Sequence, residues 1–503
     1  MSRQNTHPIW HEDAPDYPTS PLPDGQVDVT VVGAGLTGLV TALLAAREGL
    51  SVAVLEAREA GAGASGATTA KATLLQGTRL SSLTQTHDRD LAADYLAANR
   101  AGLDWLREFC RAHGVDTQAV PAVTFAATEE GVTQVEQEHQ AAQDLGLPTI
   151  LSDTLPVPFP AHAAVELPDQ LQLNPAHLLA ALVREVAATG GTVTEHARVT
   201  EVQADDGQVE LTTTAGVLTA RQVVLATATP ILDKRTTTME LVPQRSYLCA
   251  FEPAPGTEIP AGMFISAESP TYSLRTYEHD GMTRLLVGGQ GHRTGETGST
   301  AEHVAALTRW ATEHFPGVTL THTWSAQDYH PVGMVPHVEA LSWGGGRVFF
   351  AGGYSKWGLA AAPAAAMQMI DLLLGREPRL SFGSPSVLGT VKTTATTQAA
   401  VPTTEITNLA RAVTGTGDTR GNAPDGSSTE DSGAVVFREG THLVGESFID
   451  GRSCRVSLVC PHMGGTLAWN DAEASWDCPL HGSRFAADGT LLEGPAVRDL
   501  KQL

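Results

Sequence analysis

Cysteine is scarce in this sequence. Five in 503 residues are too few for a disulfide framework. No run of 18 apolar residues occurs, so no segment reads as a membrane-spanning helix. Positive charge is in deficit: 32 Lys and Arg stand against 56 Asp and Glu, a net charge of −24. An acidic chain gains nothing from counterion release on DNA or RNA, so nucleic acid is not an expected partner. Residues 1–25 are polar and Pro-rich, without the charged start and apolar core of a signal peptide. No internal repeat and no second dinucleotide-binding fingerprint is found. These absences lead to the expectation of a soluble, cytoplasmic protein. The length allows two or three domains, and a hydrophobic content of 42% can fill their cores.

Two of the five cysteines sit in one motif near the end of the chain. Cys460-Pro461-His462 is followed, after 15 residues, by Cys478-Pro479-Leu480-His481, a C-x-H-x15-C-x2-H pattern. Cys and His both bind metals, and the flanking Gly and Pro let two short loops close over a centre. A structural zinc site is one reading, although zinc motifs usually keep like ligands together. Here each half supplies one Cys and one His, which suits a two-iron centre taking one ligand per iron from each loop. The pattern resembles the Rieske motif, in which two His replace two Cys on one iron of a [2Fe–2S] cluster. Two ferric ions, two sulfides, two thiolates and two neutral imidazoles sum to zero, so such a cluster accepts an electron more readily than a four-thiolate one. The other cysteines, Cys110, Cys249 and Cys454, read as small buried hydrophobes.

A second unit lies near the start. Val27, Val29, Val31 and Val32 read as a buried strand, and Gly33-Ala34-Gly35-Leu36-Thr37-Gly38 is a G-x-G-x-x-G. An apolar helix follows, stopped at Gly49, and a second strand ends at Glu56 and Ala57. Gly33 permits the tight turn, Gly35 lets the backbone approach a pyrophosphate, and Gly38 lets helix and strand pack. The helix N-terminus favours the diphosphate, and Glu56 can accept hydrogen bonds from ribose hydroxyls. The small-residue stretch 61–71, with Ser65, Thr68, Thr69 and Lys71, reads as a loop on which an extended cofactor can lie.

The chain between these units alternates helical and strand patterns. Helices are expected over 88–113, 132–145 and 174–189, the last opened by Asn174-Pro175. Strands are expected over 123–127, 165–173, 192–202, 208–213 and 223–227. A β-rich run follows at 246–251, 263–266, 272–277 and 283–287, and then a loop over 288–295. A further strand at 347–351 leads through Gly352-Gly353-Tyr354-Ser355-Lys356-Trp357-Gly358 into a helix with Pro363 in its first turn. Residues 381–432, rich in Thr, Ser, Gly, Pro and Ala, read as a linker, with an ordered piece around 406–413.

Taken whole, the chain resembles FAD-dependent oxidoreductases of the D-amino-acid-oxidase-like group that carry a C-terminal Rieske domain. The resemblance implies an α/β FAD-binding Rossmann-type domain with an inserted α+β substrate domain built on an antiparallel sheet, then a small all-β Rieske domain. It divides the chain into an N-terminal extension (1–26), the oxidoreductase (27–380), the linker (381–432) and the Rieske domain (433–503). FAD-binding segments would be 27–80, 165–240 and 325–380, and substrate-domain segments 81–164 and 241–324. It implies that Val199 and Thr227 touch FAD and that Gly353, Lys356, Trp357 and Gly358 form a second FAD site. Cys460, His462, Cys478 and His481 would hold the cluster. Gly465 and Leu480 stand where respiratory Rieske proteins have a disulfide-bonded pair, so that bond is absent, as suits a reducing compartment. Tyr329, His330, His292 and Lys356 are catalytic candidates by position. Arg245 and Arg275 could bind a substrate carboxylate, although solvated or paired Arg is the commoner state.

The expected activity is hydride removal from a small substrate, an amine or amino acid, with electrons passed singly through the cluster to an external acceptor. The other reading is an electron-transfer or redox-sensing module with no metabolite substrate. A terminal Rieske oxygenase is disfavoured, because the chain leaves no room after the cluster for a mononuclear iron domain.

Overall fold

The valine-rich stretch before the glycine fingerprint forms the strand Gln26–Val32, with Val29 and Val31 fully buried, at the centre of an eight-stranded sheet. The computed structural model describes residues 5–205, 207–232, 236–279, 281–296, 298–398, 417–418, 432–449 and 451–503. The sheet runs His337–Ala340, Val348–Gly352, Gly216–Leu225, Gln26–Val32, Val52–Leu55, Thr192–Thr194. Its four central pairings are parallel. Val199–Ala204 and Val209–Thr213 join as an antiparallel flap. The expected strand over 192–202 is therefore two strands, because His196 takes a left-handed φ of 55° and turns the chain between them. Helices Leu36–Arg47 and Gly358–Leu373 cover the sheet and share its core. Pro363 lies at the sixth residue of the second helix, a turn later than expected.

Helix Arg89–His113 buries Leu91, Tyr95, Leu103, Leu106, Phe109 and Cys110, the face expected from its periodicity. It packs so closely on Gly358–Leu373 that a Cβ at Gly102 would lie 1.9 Å from the Ala360 carbonyl oxygen.

The second sheet has nine strands: Thr319–Pro331, Leu241–Glu252, Met282–Arg293, Tyr272–His279, Met263–Ser266, Thr117–Ala126, Ala163–Leu173 and Lys71–Ala72, with Ile150–Ser152 on a side branch. It is mixed rather than antiparallel throughout, since Met263–Ser266 runs parallel to Thr117–Ala126. Ala163–Leu173, assigned by position to the FAD-binding part, pairs in this sheet; a strand pattern does not say which sheet it joins. The loop expected over 288–295 is instead the end of Met282–Arg293. Its glycines let strands close up: a Cβ at Gly289 would lie 1.9 Å from Thr271 O.

The N-terminal extension is anchored to the body at Ile9 and Trp10. Trp10 is fully buried, its indole N–H donates to Thr68 O at 3.1 Å, and the Arg275 guanidinium lies over its ring. The expected linker contains a helix, Val387–Gln398; the ordered piece expected at 406–413 lies outside the described residues. Cys454 is half-buried on a strand of the C-terminal unit rather than in a core, whereas Cys110 and Cys249 are buried.

The C-terminal unit consists of two small antiparallel sheets. One holds Ser432–Glu439, His442–Ile449 and Arg452–Ser457, with Gly417–Asp418 at its edge. The other holds Ala468–Asn470, Ser475–Asp477, Arg484–Ala486 and Leu491–Glu493. Trp476, Phe485, Leu458, Cys460 and Cys478 share their core.

Candidate redox site

The glycine turn opens into a cavity of about 610 Å³. Gly33 has φ of 105°, and a Cβ there would lie 2.6 Å from Ala226 O. Gly38 lies beneath the turn, where a Cβ would meet Gly33 O at 1.9 Å, so it seats the helix rather than lining the cavity. Ser65 Oγ accepts from Leu36 N at 2.9 Å and holds the 61–71 loop against the helix N-terminus. Glu56 Oε2 accepts from Ala34 N at 2.8 Å, and Oε1 from Arg58 N at 2.9 Å. Gly33, Gly35, Leu36, Thr37, Glu56, Ala57, Ser65, Thr68, Thr69, Lys71, Val199, Thr227, Gly353, Lys356, Trp357 and Gly358 all line the cavity. Glycines lining the cavity, a helix N-terminus and an acid at the second strand's end fit the diphosphate and ribose of a dinucleotide.

At the other end the wall comes from the second sheet. Tyr329, His330 and Lys356 line it; His292 does not. His292 clusters with Tyr247 and His303, with centroids 5.7 and 4.6 Å away, and its Nδ1 lies 2.8 Å from Arg293 O. Burial and His303 lower its pKa to about 4, so it is a neutral packing residue. His330 is held neutral by burial and by the nearby Lys356 and Arg79 cations, with a pKa near about 3. Its Nε2 is buried without a hydrogen-bond partner, as fits a wall meant to touch a bound group. Lys356 Nζ donates to Ser246 Oγ at 2.6 Å, and its backbone N–H donates to Asp328. Burial raises Asp328 to about 6, against the pull of the Tyr329 and Lys356 N–H groups. Lys71 donates to Phe264 O at 2.9 Å and to Ser273 Oγ, and burial lowers it to about 7.

Neither arginine considered for a substrate carboxylate is available. Arg275 donates to Thr69 O, Ala70 O and Leu173 O at 2.8 to 3.2 Å. Arg245, with a side chain 1% exposed, pairs with Glu473 at 3.0 Å and Glu493 at 3.2 Å. Arg79, Gln327 and Tyr354 line the cavity without a local signal in the sequence. Tyr354 Oη lies 2.9 Å from Thr37 Oγ1 and ties the two cavity-facing turns together.

The C-terminal motif forms two tight loops. Cys460 N donates to Gly465 O and Gly464 N to Cys460 O, both at 2.9 Å. Cys478 N donates to Ser483 O at 2.8 Å and Gly482 N to Cys478 O at 3.0 Å. The loops bring thiol to thiol and ring to ring. The Cys460 and Cys478 side chains are hydrogen-bonded, and the His462 and His481 centroids lie 5.1 Å apart. Cys460 is the more acidic thiol, lowered to about 7 by that neighbour, by the His462 and Met463 N–H groups and by the Ser483 hydroxyl. Among the described residues no three His, Cys, Asp or Glu side chains converge on one point. A sulfur pair beside an imidazole pair suits two irons. A Cβ on Gly465 would lie 2.9 Å from Leu480 Cδ1, so these two positions face each other without a disulfide.

The two units meet at this loop. Arg293 Nε donates to Pro479 O at 3.2 Å, Tyr329 Oη to His481 O at 3.0 Å, and Gln327 Nε2 to Gly482 O at 2.8 Å. Leu492, Glu493, Gly494, Ala496 and Val497 of the C-terminal unit line the cavity itself. Arg484 joins Glu473, Asp477 and Glu493 at 2.7 to 3.0 Å, which together with Arg245 makes a buried charge network across the junction. Removing one member would leave charge uncompensated, at about 3–5 kcal/mol.

Residues 28–372 match the family described as FAD dependent oxidoreductase, and residues 411–503 match the Rieske [2Fe-2S] domain. The Bacillus subtilis (strain 168) protein YhfW, named for a Rieske 2Fe-2S iron-sulfur centre, is 27% identical over 98% of this chain and 96% of its own. Two solved structures share the fold of the N-terminal part. Glycine oxidase from Geobacillus kaustophilus has a TM-score of 0.60 and 20% identity, over 72% of this chain and 99% of its own. L-proline dehydrogenase from P. horikoshii has a TM-score of 0.59 and 17% identity, over 72% and 96%. The chain belongs to the FAD dependent oxidoreductase family and carries a C-terminal Rieske [2Fe-2S] domain. Among the described residues no helix is long and apolar enough to cross a membrane.

Proposed function

We propose that this FAD dependent oxidoreductase takes a hydride from the carbon next to nitrogen in a small amine or amino acid, and passes the electrons singly through its Rieske cluster to an external acceptor. Bound FAD supplies the two-electron acceptor, and the cluster a one-electron carrier. The observation that carries this reading is the shared wall: one cavity is bounded by the glycine fingerprint, by the second sheet and by Leu492, Glu493, Gly494, Ala496 and Val497 of the Rieske domain. The substrate class is drawn from the fold neighbours, whose names refer to glycine and proline.

In this reading Cys460 and Cys478 ligate one iron, and His462 and His481 the other. Gly33, Gly35, Leu36, Thr37 and Glu56 hold the ADP half of FAD, and Gly353, Lys356, Trp357 and Gly358 face its ring. The neutral His330 and the Lys356 ammonium line the substrate end. Hydride removal from an amine needs little acid–base help beyond orientation. The free cysteines and the missing disulfide at Gly465 and Leu480 support a reducing, cytoplasmic compartment. The test is anaerobic mixing of the purified holoprotein with a panel of amines, amino acids and NAD(P)H. Flavin bleaching by an amine, followed by cluster bleaching, supports the reading. Bleaching only by a protein donor would replace it with the electron-relay reading.

A further inference from the structure

The wall between the cavity and the cluster loop is one residue thick. Tyr329 lines the cavity and is 2% exposed. Its hydroxyl reaches the other way and donates to the backbone carbonyl of His481 at 3.0 Å. Gln327 Nε2 donates to the same hydroxyl at 3.2 Å and to Gly482 O at 2.8 Å. Thr294 Oγ1 donates to Gln327 Oε1 at 2.7 Å, which fixes the amide's orientation. There is no slack at the contact: a Cβ on Gly482 would lie 2.7 Å from Pro243 Cβ and 2.9 Å from Tyr329 Oη. The neighbouring carbonyl, Pro479 O, is held by Arg293. The Tyr329 hydroxyl donates to a backbone carbonyl, and its geometry is that of a connector rather than an acid or base.

We infer that Tyr329 is the bridge by which electrons pass from the flavin cavity to the cluster, which they enter on its His481 side. This rests on the assignment of FAD to the cavity and of the cluster to Cys460, His462, Cys478 and His481. The route from ring to imidazole is covalent except for one hydrogen bond: Tyr329 Oη to His481 O, then the His481 backbone and side chain. Each passage moves one electron. The flavin is oxidised by one and the cluster reduced by one. No heavy-atom bond is made or broken, and an external one-electron acceptor reoxidises the cluster before the second electron passes. Tyr329 and Gln327 are thereby positioning residues for intramolecular transfer, not catalytic residues for the substrate. The other loop faces outward: His462 is half-buried, with Val459 and Met463 exposed at 44% and 41%.

The test is pulse radiolysis of the full-length holoprotein. One electron is delivered from a small nicotinamide radical, and its redistribution between flavin and cluster is followed by their separate absorbances. Tyr329→Phe keeps the ring and loses the hydrogen bond; redistribution slows several-fold. Tyr329→Leu loses both and slows it by on the order of tenfold or more, as loss of a positioning group does. FAD content, iron content and the cluster's EPR signal stay as in the wild type, and small-angle scattering reports whether the domain stays docked. A wild-type redistribution rate in Tyr329→Leu, with both cofactors bound, overturns the bridge alone. A wild-type protein without FAD absorbance or without a Rieske EPR signal overturns the underlying assignment instead. If Tyr329→Leu undocks the domain, Tyr329→Phe, which keeps the ring and removes only the hydrogen bond to His481 O, must slow redistribution with the domain docked; a wild-type rate there also sinks the bridge.

Discussion

The two loops of the cluster motif are close to equal in sequence and opposite in surroundings. Cys460 to Gly465 closes on itself and looks to solvent, with Met463 exposed and His462 half-buried. Cys478 to Ser483 closes in the same way, but His481 is only 9% exposed and the loop's carbonyls at 479, 481 and 482 are taken by Arg293, Tyr329 and Gln327. Both use a left-handed glycine, Gly464 at φ 82° and Gly482 at φ 79°. The motif itself sets neither role; the partner surface does. One edge of the centre is held against the cavity wall, and the other is exposed.

The largest test of that contrast empties one side of it. Gly35→Val should abolish FAD binding while leaving the cluster intact. The added side chain would stand where the backbone approaches the pyrophosphate, and its Cβ would lie 3.1 Å from Ser65 Oγ, already engaged by Leu36 N. Flavin absorbance and iron content on the same sample check it. Normal FAD content would contradict the fingerprint's role.

Next comes the exchange of a neutral ligand for an anionic one. His481→Cys adds a thiolate charge, opposes reduction and lowers the midpoint on the order of 100 mV or more, or loses the cluster, given the gap between Rieske and four-thiolate centres. His462→Cys should lower it similarly, because the ligand chemistry is the same. Both lose the same driving force, so flavin-to-cluster transfer should slow further in His481→Cys than in His462→Cys. A cluster that is intact and more easily reduced in His481→Cys would show that His481 is not a ligand.

A gentler pair isolates the docking. Gly464→Ala and Gly482→Ala force the same left-handed strain on alanine, about 1 kcal/mol each. A Cβ at Gly464 meets nothing within 4 Å, whereas at Gly482 it meets Pro243, Gln327 and Tyr329 within 2.9 Å. The second substitution should therefore destabilise the full-length protein by a further ~1–3 kcal/mol. Equal melting shifts in the two variants would mean that the Rieske loop is not held against the flavin half in solution.

These contacts also mark where the sequence stops being legible. The glycine fingerprint and the C-x-H…C-x2-H motif are local, so their chemistry can be read from spacing. The helix face of Leu91, Tyr95, Leu103 and Leu106 follows from periodicity. What joins them is not local. Tyr329 meets His481 across 152 positions, and Arg245 meets Glu493 across 248. A buried Arg waiting for a distant Glu looks, in sequence, the same as one waiting for a substrate. That His292 lies outside the cavity is hidden for the same reason: its partners Tyr247 and His303 become neighbours only when strand and helix pack. The glycines of 288–291 suggest a loop, but the strand needs Gly289 where Thr271 O comes too close for a side chain.

The smallest expected effect concerns tuning within the held half. Hydrogen bonds to the sulfurs stabilise the reduced, more negative cluster and raise its potential. High-potential Rieske proteins look similar here but carry a Tyr two residues after the Ser; this chain has Ser483 and then Phe485. The Ser483 hydroxyl lies in hydrogen-bonding reach of the Cys460 sulfur and accepts from Ala496 N at 3.0 Å. Phe485 is fully buried in the core that contains both cysteines, opposite Trp476 on the neighbouring strand. One sulfur bond should thus be missing, and the potential should fall below the top of the roughly −150 to +300 mV Rieske range. Phe485→Tyr should raise it and Ser483→Ala lower it, each by tens of millivolts, about one charge-assisted hydrogen bond or less. A buried phenol needs a partner, so a hydroxyl that fails to find a sulfur would destabilise the domain without moving the midpoint. Voltammetry of the full-length protein, read beside its melting temperature, separates the two. An unchanged midpoint in Phe485→Tyr with full cluster content would mean that the ring edge never faces the cluster.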